Sequence, residues 1–472
     1  MTFGEVVTAS AHSPPLPHLA RKMMIMENSK LMAHQPENAR GVLLASAAYA
    51  GTLAAVRELG AKGIRVSVLS GPRLATGWSP RISAAAWSRY ASRTFRSPPE
   101  RENHQFLDKL LAIGAADPGQ VLLPTSDETA WLYTVNAASL QRFFRLYAPS
   151  LSTMQRILDK RRFADAARAA GVSHVPIWEA GSQVELEELA PRLPYPILIK
   201  PRTHVNRRRN DKGVRVASPQ ELLHEYPRFV AREREGVQAN PLLPDACVPV
   251  LQQFVSVGSE GVCSVSGFID RSGELFVTRQ SKKVLQRSQP AGVGICFESL
   301  PPDPALSEAV RRICRTLDYF GIFEVEFLYC NGSWAVIDFN PRTFNQIAMD
   351  ASRGMPLPLL AWMDAVGERD ALQAAVAAAQ VVPPERSPTV FCDRFTLRAL
   401  LLAKSLTRRI SREELAYWRS WMKRNSANWV DVAASDDDPL PKFVHIVSEI
   451  FLGLRAFRRF LRLTPRASKV GT

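Results

Sequence analysis

Acidic and amide side chains alternate with apolar residues along two segments on either side of residue 331. Glu324 and Glu326 lie two positions apart in the first segment, and Asp338 and Asn340 lie two positions apart in the second. Because side chains alternate along a strand, each pair shares a face if both segments are strands. Carboxylates flanked by Phe, Val and Ile need a partner, and hard oxygen ligands suit Mg²⁺. The pattern therefore predicts a Mg²⁺ site of Glu326, Asp338 and Asn340.

The connection between these two segments decides whether the carboxylates can meet. A two-residue Asn331-Gly332 turn would set Glu326 opposite Ile337 and turn Asp338 to the other face. A three-residue loop over 331–333 sets Glu326 opposite Asp338 instead. The metal interpretation thus predicts the longer, bulge-type loop, and a two-residue turn would contradict it. The alternative is an edge hairpin whose acids are solvated.

Basic residues cluster in two other places. Lys200 closes the apolar segment 194–201, where a lysine on the buried side needs an anion; the alternative is a side chain that reaches out to water. Residues 200–213 hold six Lys and Arg against one Asp. They favour a local anion site or a solvated basic loop. Arg207, Arg208, Arg209 and Lys212 belong to this loop.

A second basic group lies in and after the segment that ends at residue 280. Its members are candidates for binding a substrate carboxylate, and a solvated connector is the equal alternative: Arg279, Lys282, Lys283 and Arg287. The sequence shows no Ser-His-Asp or Cys-His arrangement that would indicate nucleophilic catalysis instead. His204 is expected to have no direct role in the chemistry.

The elements that must position these side chains fall into three parts. Residues 41–150 alternate strand and helix patterns, which predicts a small α/β domain with a parallel sheet. From about residue 158 the pattern becomes α+β, with antiparallel strands. A helix is predicted over 305–321, because apolar residues recur at spacings of 4, 3 and 4, and Gly321 is expected to end it. Beyond the Pro-rich break at 383–388 the chain is predicted to be mostly helical.

Composition limits the function classes. The chain has 472 residues, 46% of them hydrophobic, and 60 Lys and Arg against 45 Asp and Glu, giving a net charge of +15. Such an excess favours an anionic partner. Because it is concentrated in 200–213 and 401–472 rather than spread out, nucleic acid is the weakest candidate. The scattered cysteines and the lack of a long apolar run favour a reduced, cytoplasmic protein.

The C-terminal part contains a basic amphipathic pattern. Large apolar residues recur at spacings of 4, 3, 4, 3 and 4 within 443–463: Phe443, Val447, Ile450, Leu454, Phe457 and Leu461. Four arginines lie largely off this stripe. Such a helix either covers the protein's own core or lies peripherally on an anionic membrane, here the inner membrane face. Trp418, Trp421 and Trp429 are expected to pack together in the same region.

Four motifs in order carry a family resemblance: DKRRFADAARAAGVSHVP, PYPILIKP, EVEF and IDFNPR. Together they resemble the ATP-grasp superfamily, over roughly residues 41–365, and the segment before them is similar to that of ATP-grasp proteins described as carboxylate–amine ligases. The resemblance implies an α/β plus α+β fold. It divides the chain into a flexible leader (1–40), a Rossmann-like pre-ATP-grasp domain (41–150), a two-lobed ATP-grasp domain (151–365) and a helical basic C-terminal region (366–472).

The resemblance also implies roles for individual residues. Lys160 and Lys200 fall on the ATP phosphates, and Arg342 falls where the family holds the transferred phosphate, the alternative being an ordinary exposed arginine. Further ATP contacts fall on Gln253, Phe254 and Val255, and the Mg²⁺ ligands on Glu326, Asp338 and Asn340. Where the sequence departs from the family, Glu260 is a substitute for the ribose contact, and Arg207, Arg208, Arg209 and Lys212 are candidates to close over the phosphates. This sequence departs from the family in having Gln252-Gln253 before the nucleotide hinge, Asp at 338 where Glu is commoner, and few glycines in the loop 202–213.

The implied activity is ATP- and Mg²⁺-dependent formation of an amide bond. A small-molecule carboxylate would be activated as an acyl phosphate and attacked by an amine. The alternative from another class is a non-catalytic ATP-binding protein, peripheral to a membrane, that kept the fold without turnover. Retention of Glu, Asp and Asn in the metal set favours catalysis.

Overall fold

The computed structural model describes residues 41–46, 49–71, 83–207, 213–236, 240–257, 261–286, 294–381 and 388–463. The expected leader and three candidate site residues, Lys212, Glu260 and Arg287, lie outside the described residues, as do Arg208 and Arg209.

The first unit is a five-stranded parallel sheet flanked by helices. Its strands are β1 (Val42–Leu44), β2 (Val66–Ser70), β3 (Ala91–Arg96), β4 (Val121–Leu123) and β5 (Arg145–Leu146), in the order β3-β2-β1-β4-β5. The helices are α1 (Ala50–Ala61), α2 (Asn103–Ala116), α3 (Asp127–Val135) and α4 (Ala137–Leu140). Every residue of β1 and β4 is buried, as expected of parallel strands covered on both faces. The predicted α/β domain is confirmed.

The second unit centres on a four-stranded antiparallel sheet in the order β6-β9-β7-β8. Its elements are α5 (Leu151–Leu158), α6 (Lys160–Ala169), β6 (Ile177–Trp178), α7 (Gln183–Leu189), β7 (Ile197–Lys200), β8 (Val214–Val216), α8 (Pro219–Gly236) and β9 (Val250–Gln253). Ile197 and Ile199 of β7 are fully buried in a core with Leu222 and Phe229 of α8. Period-two alternation therefore turns Leu198 and Lys200 to the opposite face.

The third unit is a seven-stranded sheet in the order β14-β13-β10-β11-β12-β15-β16. Its first elements are β10 (Val262–Ile269), β11 (Phe276–Gln286), β12 (Gly294–Leu300), α9 (Pro304–Leu317), β13 (Gly321–Cys330), β14 (Ser333–Asn340), α10 (Ile347–Ser352) and α11 (Leu357–Val366). The expected antiparallel strands are confirmed. The apolar stripe of α9 is buried as predicted, but the helix ends earlier than expected: Asp318 caps it in the left-handed conformation, and Gly321 opens β13.

The C-terminal region combines helices with two short strands. It contains α12 (Arg369–Gln380), β15 (Val390–Cys392), α13 (Arg394–Leu406), α14 (Arg412–Arg424), β16 (Trp429–Asp431) and α15 (Leu440–Leu463). Because β15 pairs with β12, the seven-stranded sheet continues past residue 366. Trp421 stacks edge-on between Trp418 and Trp429, with both pairs of ring centroids 5.5 Å apart, as the sequence predicts.

Candidate active site

A cavity of about 410 Å³ lies between the four-stranded and seven-stranded sheets. Strands β7 and β9 line one side of it, and β10 to β14 line the other. Ten of the candidate site residues line this cavity: Lys160, Lys200, Gln253, Phe254, Val255, Lys283, Glu326, Asp338, Asn340 and Arg342. Residues 180 positions apart in the chain thus meet in one place.

Two lysines reach the cavity from the second unit. Lys200 does so because it is the last residue of β7 and alternates with the buried Ile199; its Nζ donates to Oε1 of Gln252 at 2.8 Å. Lys160 is the first residue of α6, whose amino end is capped by Asp159. Its Nζ lies 3.2 Å from Oδ1 of Asp338, so it bridges the second and third units.

The β13–β14 hairpin brings the predicted metal ligands together by an unexpected route. The loop prediction is wrong: Cys330 pairs with Ser333 across a two-residue turn, in which Asn331 and Gly332 both have positive φ, as the favoured hairpin turn requires. The register then shifts at Ile337, which forms a β-bulge. Because of that extra residue, Glu326 still pairs with Asp338.

The bulge therefore supplies the pairing that the loop was expected to supply. Glu324 pairs with Asn340 one step further along. All four polar side chains lie on the cavity face, while Val325, Val336 and Phe339 are buried in the core behind the hairpin. The two-residue turn that the metal interpretation excluded is therefore present, and the bulge at Ile337 keeps the pairing on which that interpretation depends.

Lysine and amide side chains surround the carboxylates. Lys283 of β11 donates to Oε1 of Glu326 at 2.5 Å. Glu324 accepts from Nδ2 of Asn340 at 3.0 Å and from Gln346. Burial, reinforced by the neighbouring Glu326, raises the pKa of Glu324. Burial disfavours the charge of Lys283, but the Glu326 and Glu324 carboxylates outweigh it and hold the pKa of Lys283 above its ordinary value.

The donor set fits Mg²⁺. Glu326 and Asp338 are cross-strand neighbours, and Asn340 adds an amide oxygen on the same face. Among the described residues, no group of three or more His, Cys, Asp or Glu is arranged to hold a metal. The set present here has two carboxylates and one amide, which leaves the other half of the positions of an octahedral ion to water and phosphate.

Arg342 connects the hairpin to the parallel sheet. Its Nε donates to Oδ1 of Asp127 at 3.0 Å, and its Nη2 donates to Oδ1 of Asn340 at 2.9 Å. Asp127 begins α3, directly after the loop that follows β4. Its Nη1 also donates to the carbonyl of Thr343 at 3.0 Å, so the guanidinium is held at three points in the wall of the cavity.

The segment 254–257 connects the two sheets and forms one end of the cavity. The backbone N–H of Phe254 donates to the carbonyl of Pro196 at 3.1 Å. The ring of Phe254 lies under the guanidinium of Arg215, 4.7 Å from its centroid. Gln253, Phe254 and Val255 are thereby fixed at the boundary between the sheets, where the resemblance places the nucleotide hinge.

Three basic residues lie elsewhere than expected. Lys282 does not line the cavity, and its Nζ lies 3.1 Å from Oε2 of Glu298. Arg279 is buried in a different place, where its Nη2 donates to the carbonyl of Ala379 at 2.6 Å, and it does not line the cavity. Arg207 does not close over the cavity, because its side chain is buried against α8 and pairs with Glu233 at 2.5 Å. A buried carboxylate requires such a partner, and the two residues are too distant in sequence for a pattern to show it.

Several cavity residues were given no role from the sequence. They are His204, Gln252, Glu324, Asn345 and Gln346. Alternation already places Glu324 on the same face as Glu326, although no role was given to it. Gln252 is adjacent to Gln253 on β9, so alternation puts it on the other face and could not have found it. Asn345 and Gln346 follow the hairpin just before α10. The sequence has no signal that the chain turns back there and brings Gln346 onto Glu324.

Comparisons with known proteins agree with this architecture. No family model matches the chain. The carbamoyl phosphate synthase arginine-specific large chain of Halalkalibacterium halodurans is 25% identical over 224 residues, which cover 45% of this chain and 19% of that relative. The large chain from Myxococcus xanthus is also 25% identical, over 229 residues and 19% of its length. The match thus spans about a fifth of these relatives.

Solved structures match over more of the chain. Biotin carboxylase from Campylobacter jejuni superimposes with a TM-score of 0.54 at 16% identity, covering 69% of this chain and 71% of that one. N5-carboxyaminoimidazole synthetase from Staphylococcus aureus, complexed with ADP, gives 0.51 at 14% identity, covering 74% and 81%. L-amino acid ligase from Bacillus licheniformis gives 0.50 at 14%, covering 69% and 74%. The resemblance read from the sequence is confirmed, and the chain has the ATP-grasp fold.

Proposed function

We propose that this protein is an ATP- and Mg²⁺-dependent ligase that activates a small-molecule carboxylate as an acyl phosphate for attack by an amine. The observation that carries the proposal is the cavity between the two sheets and the residues that it brings together. It collects two lysines from one side and paired carboxylates with an arginine from the other. Phosphoryl transfer from ATP requires cationic groups that bind the phosphates and oxygen ligands that bind Mg²⁺.

ATP would lie with its base at segment 254–257 and its phosphates between Lys160 and Lys200. Both ammonium groups lie on the cavity wall that faces the hairpin. Glu326, Asp338 and Asn340 would hold Mg²⁺, which when bound neutralises charge on the phosphate oxygens. The solved relatives whose names state a bound ADP support the nucleotide, among them the 2-oxoglutarate carboxylase domain with MgADP.

The chain's own residues would supply positioning and charge. A carboxylate oxygen attacks the γ-phosphorus, the bond to the β-phosphate oxygen breaks, and ADP leaves. The amine nitrogen then attacks the acyl carbon, releases phosphate and loses a proton. Arg342, held by Asp127 and Asn340, is placed to stabilise the transferred phosphoryl group and the departing phosphate. Fixing this guanidinium in advance removes a reorganisation cost from the reaction.

Bicarbonate is the second candidate for the activated group. It presents the same anionic oxygens as a carboxylate, and the biotin carboxylase neighbours and carbamoyl phosphate synthase relatives give it weight. With bicarbonate the intermediate would be a carboxyphosphate, and the amine product would be a carbamate. The residues that line the cavity suit either anion.

ADP release separates these proposals. The full chain would be incubated with ATP and Mg²⁺ and a matrix of amino acids, hydroxy acids and bicarbonate against amines and ammonia. Release that requires both an organic carboxylate and an amine is the expected result. Release with bicarbonate and no organic carboxylate would replace the ligase by a carboxylase. ATP binding without release under any pairing would show a non-catalytic nucleotide-binding protein.

Matched variants connect this activity to the cavity. Lys200→Met removes a cavity cation while keeping the length of the side chain, and Lys442→Met does the same at an exposed site on α15. Only the first should abolish ADP release. Equal loss in both variants would mean that the activity does not depend on this site.

A further inference from the structure

The start of helix α15 is held firmly on the body of the protein. Asp438, directly before the helix, accepts from Nε of Arg57 at 2.8 Å and from the hydroxyl of Ser88 at 2.7 Å. Further along, Nε2 of His445 lies 3.0 Å from Oδ2 of Asp393, the N-cap of α13. These contacts fix which side of the first three turns faces inward, since Val444 and Ser448 lie on the same side as His445.

The opposite side of the same turns exposes large apolar side chains. Leu440, Phe443, Val447 and Ile450 are 55%, 62%, 42% and 47% exposed. Their spacings of 3, 4 and 3 place them in one stripe along the helix. Of the two alternatives for this helix, the one in which the stripe covers the protein's own core does not hold in these turns. A continuous apolar stripe on a folded surface indicates an interaction site.

The charge of this end of the chain selects the occupant. Counted in the sequence, residues 440–472 contain seven Lys and Arg against one Glu, and the three aspartates at 436–438 leave this end with a net positive charge. In the sequence, the same apolar spacing continues through Leu454, Phe457 and Leu461, with arginines between them. A second copy of this helix would bring like charges together, whereas an anionic bilayer offers both an apolar layer and opposite charge.

We propose that α15 docks the protein on an anionic phospholipid surface, with the helix in the plane of the interface and the Leu440–Phe443–Val447–Ile450 stripe turned into the lipid. Such a helix lies on a bilayer rather than crossing it. In agreement with this, no helix in the described part of the chain is long and apolar enough to span a membrane. The active-site cavity lies on other elements, so docking is independent of the proposed catalysis.

Vesicle sedimentation of the full chain tests the proposal. The expected result is binding to phosphatidylcholine vesicles with about 30% phosphatidylglycerol, weakened by raising the salt from about 0.1 M to about 0.5 M. Binding to pure phosphatidylcholine should be much weaker. No binding to the anionic vesicles, or equal binding to both kinds, would overturn the proposal.

Two variants locate the contact. The triple substitution Phe443→Gln/Val447→Gln/Ile450→Gln should lower vesicle affinity by at least about tenfold, because three apolar side chains lose their lipid contact. Leu402→Gln/Leu406→Gln is the control: these side chains of α13 are 61% and 76% exposed, and their loss should leave binding unchanged. All these positions are exposed, so folding should survive, and an unchanged melting temperature verifies this.

The controls also identify the competing occupant. Equal loss of binding in both variants, or none in the triple variant, would contradict the stripe as the contact. Sedimentation velocity without lipid should give a monomer, because the stripe is expected to contact lipid and not a second copy of the chain. A dimer that the triple substitution abolishes would show that a second copy, not lipid, occupies the stripe, and would overturn the proposal.

Discussion

Replacing Asp338 with Asn should weaken Mg²⁺ binding without unfolding the protein. The carboxylate is one-third exposed, and its Oδ1 lies 3.2 Å from Nζ of Lys160. A partly exposed ion pair of this kind contributes about 1 kcal/mol. A dication that coordinates the same carboxylate at about 2 Å gains roughly 3–4 kcal/mol even at the dielectric of bulk water. Loss of the charge should therefore cost a net 2–3 kcal/mol, or roughly 30- to 150-fold in apparent Mg²⁺ affinity.

The affinity is measured by titrating Mg²⁺ into the protein with a non-hydrolysable ATP analogue and following the heat of binding. Asp165→Asn is the matched control, because Asp165 is also paired with arginines, at 2.8 and 3.3 Å, but lies on the exposed side of α6. The control should bind Mg²⁺ like the wild type, and both variants should melt within about a degree of it. If Asp338→Asn changes the affinity by less than about threefold, the metal assignment is refuted.

Three further outcomes are expected. Lys200→Met should lower the affinity for ATP by at least about tenfold and leave the affinity for adenosine unchanged, because the Lys200 ammonium group is assigned to the phosphates. Both affinities are measured by calorimetry, and an equal loss for the two ligands would contradict the assignment. Arg342→Lys should lower kcat by about a hundredfold with little change in KM for ATP, because lysine cannot keep both hydrogen bonds to Asp127 and Asn340. An unchanged kcat would show that Arg342 does not take part in the reaction. Burial raises the pKa of Glu58 from 4.5 to about 8, so the native state holds a proton that the unfolded chain releases, and wild-type stability falls as the pH rises between these values. Glu58→Gln should therefore raise the melting temperature at pH 8 and lose this advantage near pH 5; the same difference at both pH values would contradict the assignment.

The parts of the site that sequence could predict depend on local periodicity. Alternation along β13 and β14 put Glu326 and Asp338 on cavity-facing positions. Lys200 was expected on the buried side of its strand, and alternation with the buried Ile197 and Ile199 turns it to the cavity instead. These predictions require only that each segment is a strand with one apolar face. Burying the apolar face stabilises the strand enough to fix its orientation, so the alternate side chains must lie on the opposite face.

The register of the hairpin could not be predicted in the same way. Asn331-Gly332 favours a two-residue turn, and that preference prevailed. The extra residue at Ile337 has no local signal, because Ile fits a regular strand as well as a bulge. The bulge lets Glu326 and Asp338 both line the polar cavity while Val336 and Phe339 stay buried in the core. These two requirements exist only when the sheets are packed together, so the sequence of the hairpin does not show them.

Contacts between distant segments were missed for a related reason. The pairing of Arg207 with Glu233 withdraws an arginine from the loop that was expected to cover phosphate, and Arg279 is withdrawn by the carbonyl of Ala379. Both arginines satisfy buried groups that no sequence window contains. Strands β15 and β16 have three residues each, too few for an alternation pattern, so the extension of the seven-stranded sheet was not foreseen.

Oxygen transfer from substrate to phosphate tests the central claim most directly. The organic carboxylate that supports ADP release would be labelled with ¹⁸O and turned over with ATP, Mg²⁺ and its amine. An acyl phosphate intermediate requires one carboxylate oxygen to leave with the phosphate, so mass spectrometry should find one ¹⁸O in each phosphate released. Phosphate that contains no label, while amide is still formed, would contradict activation of the carboxylate by phosphorylation.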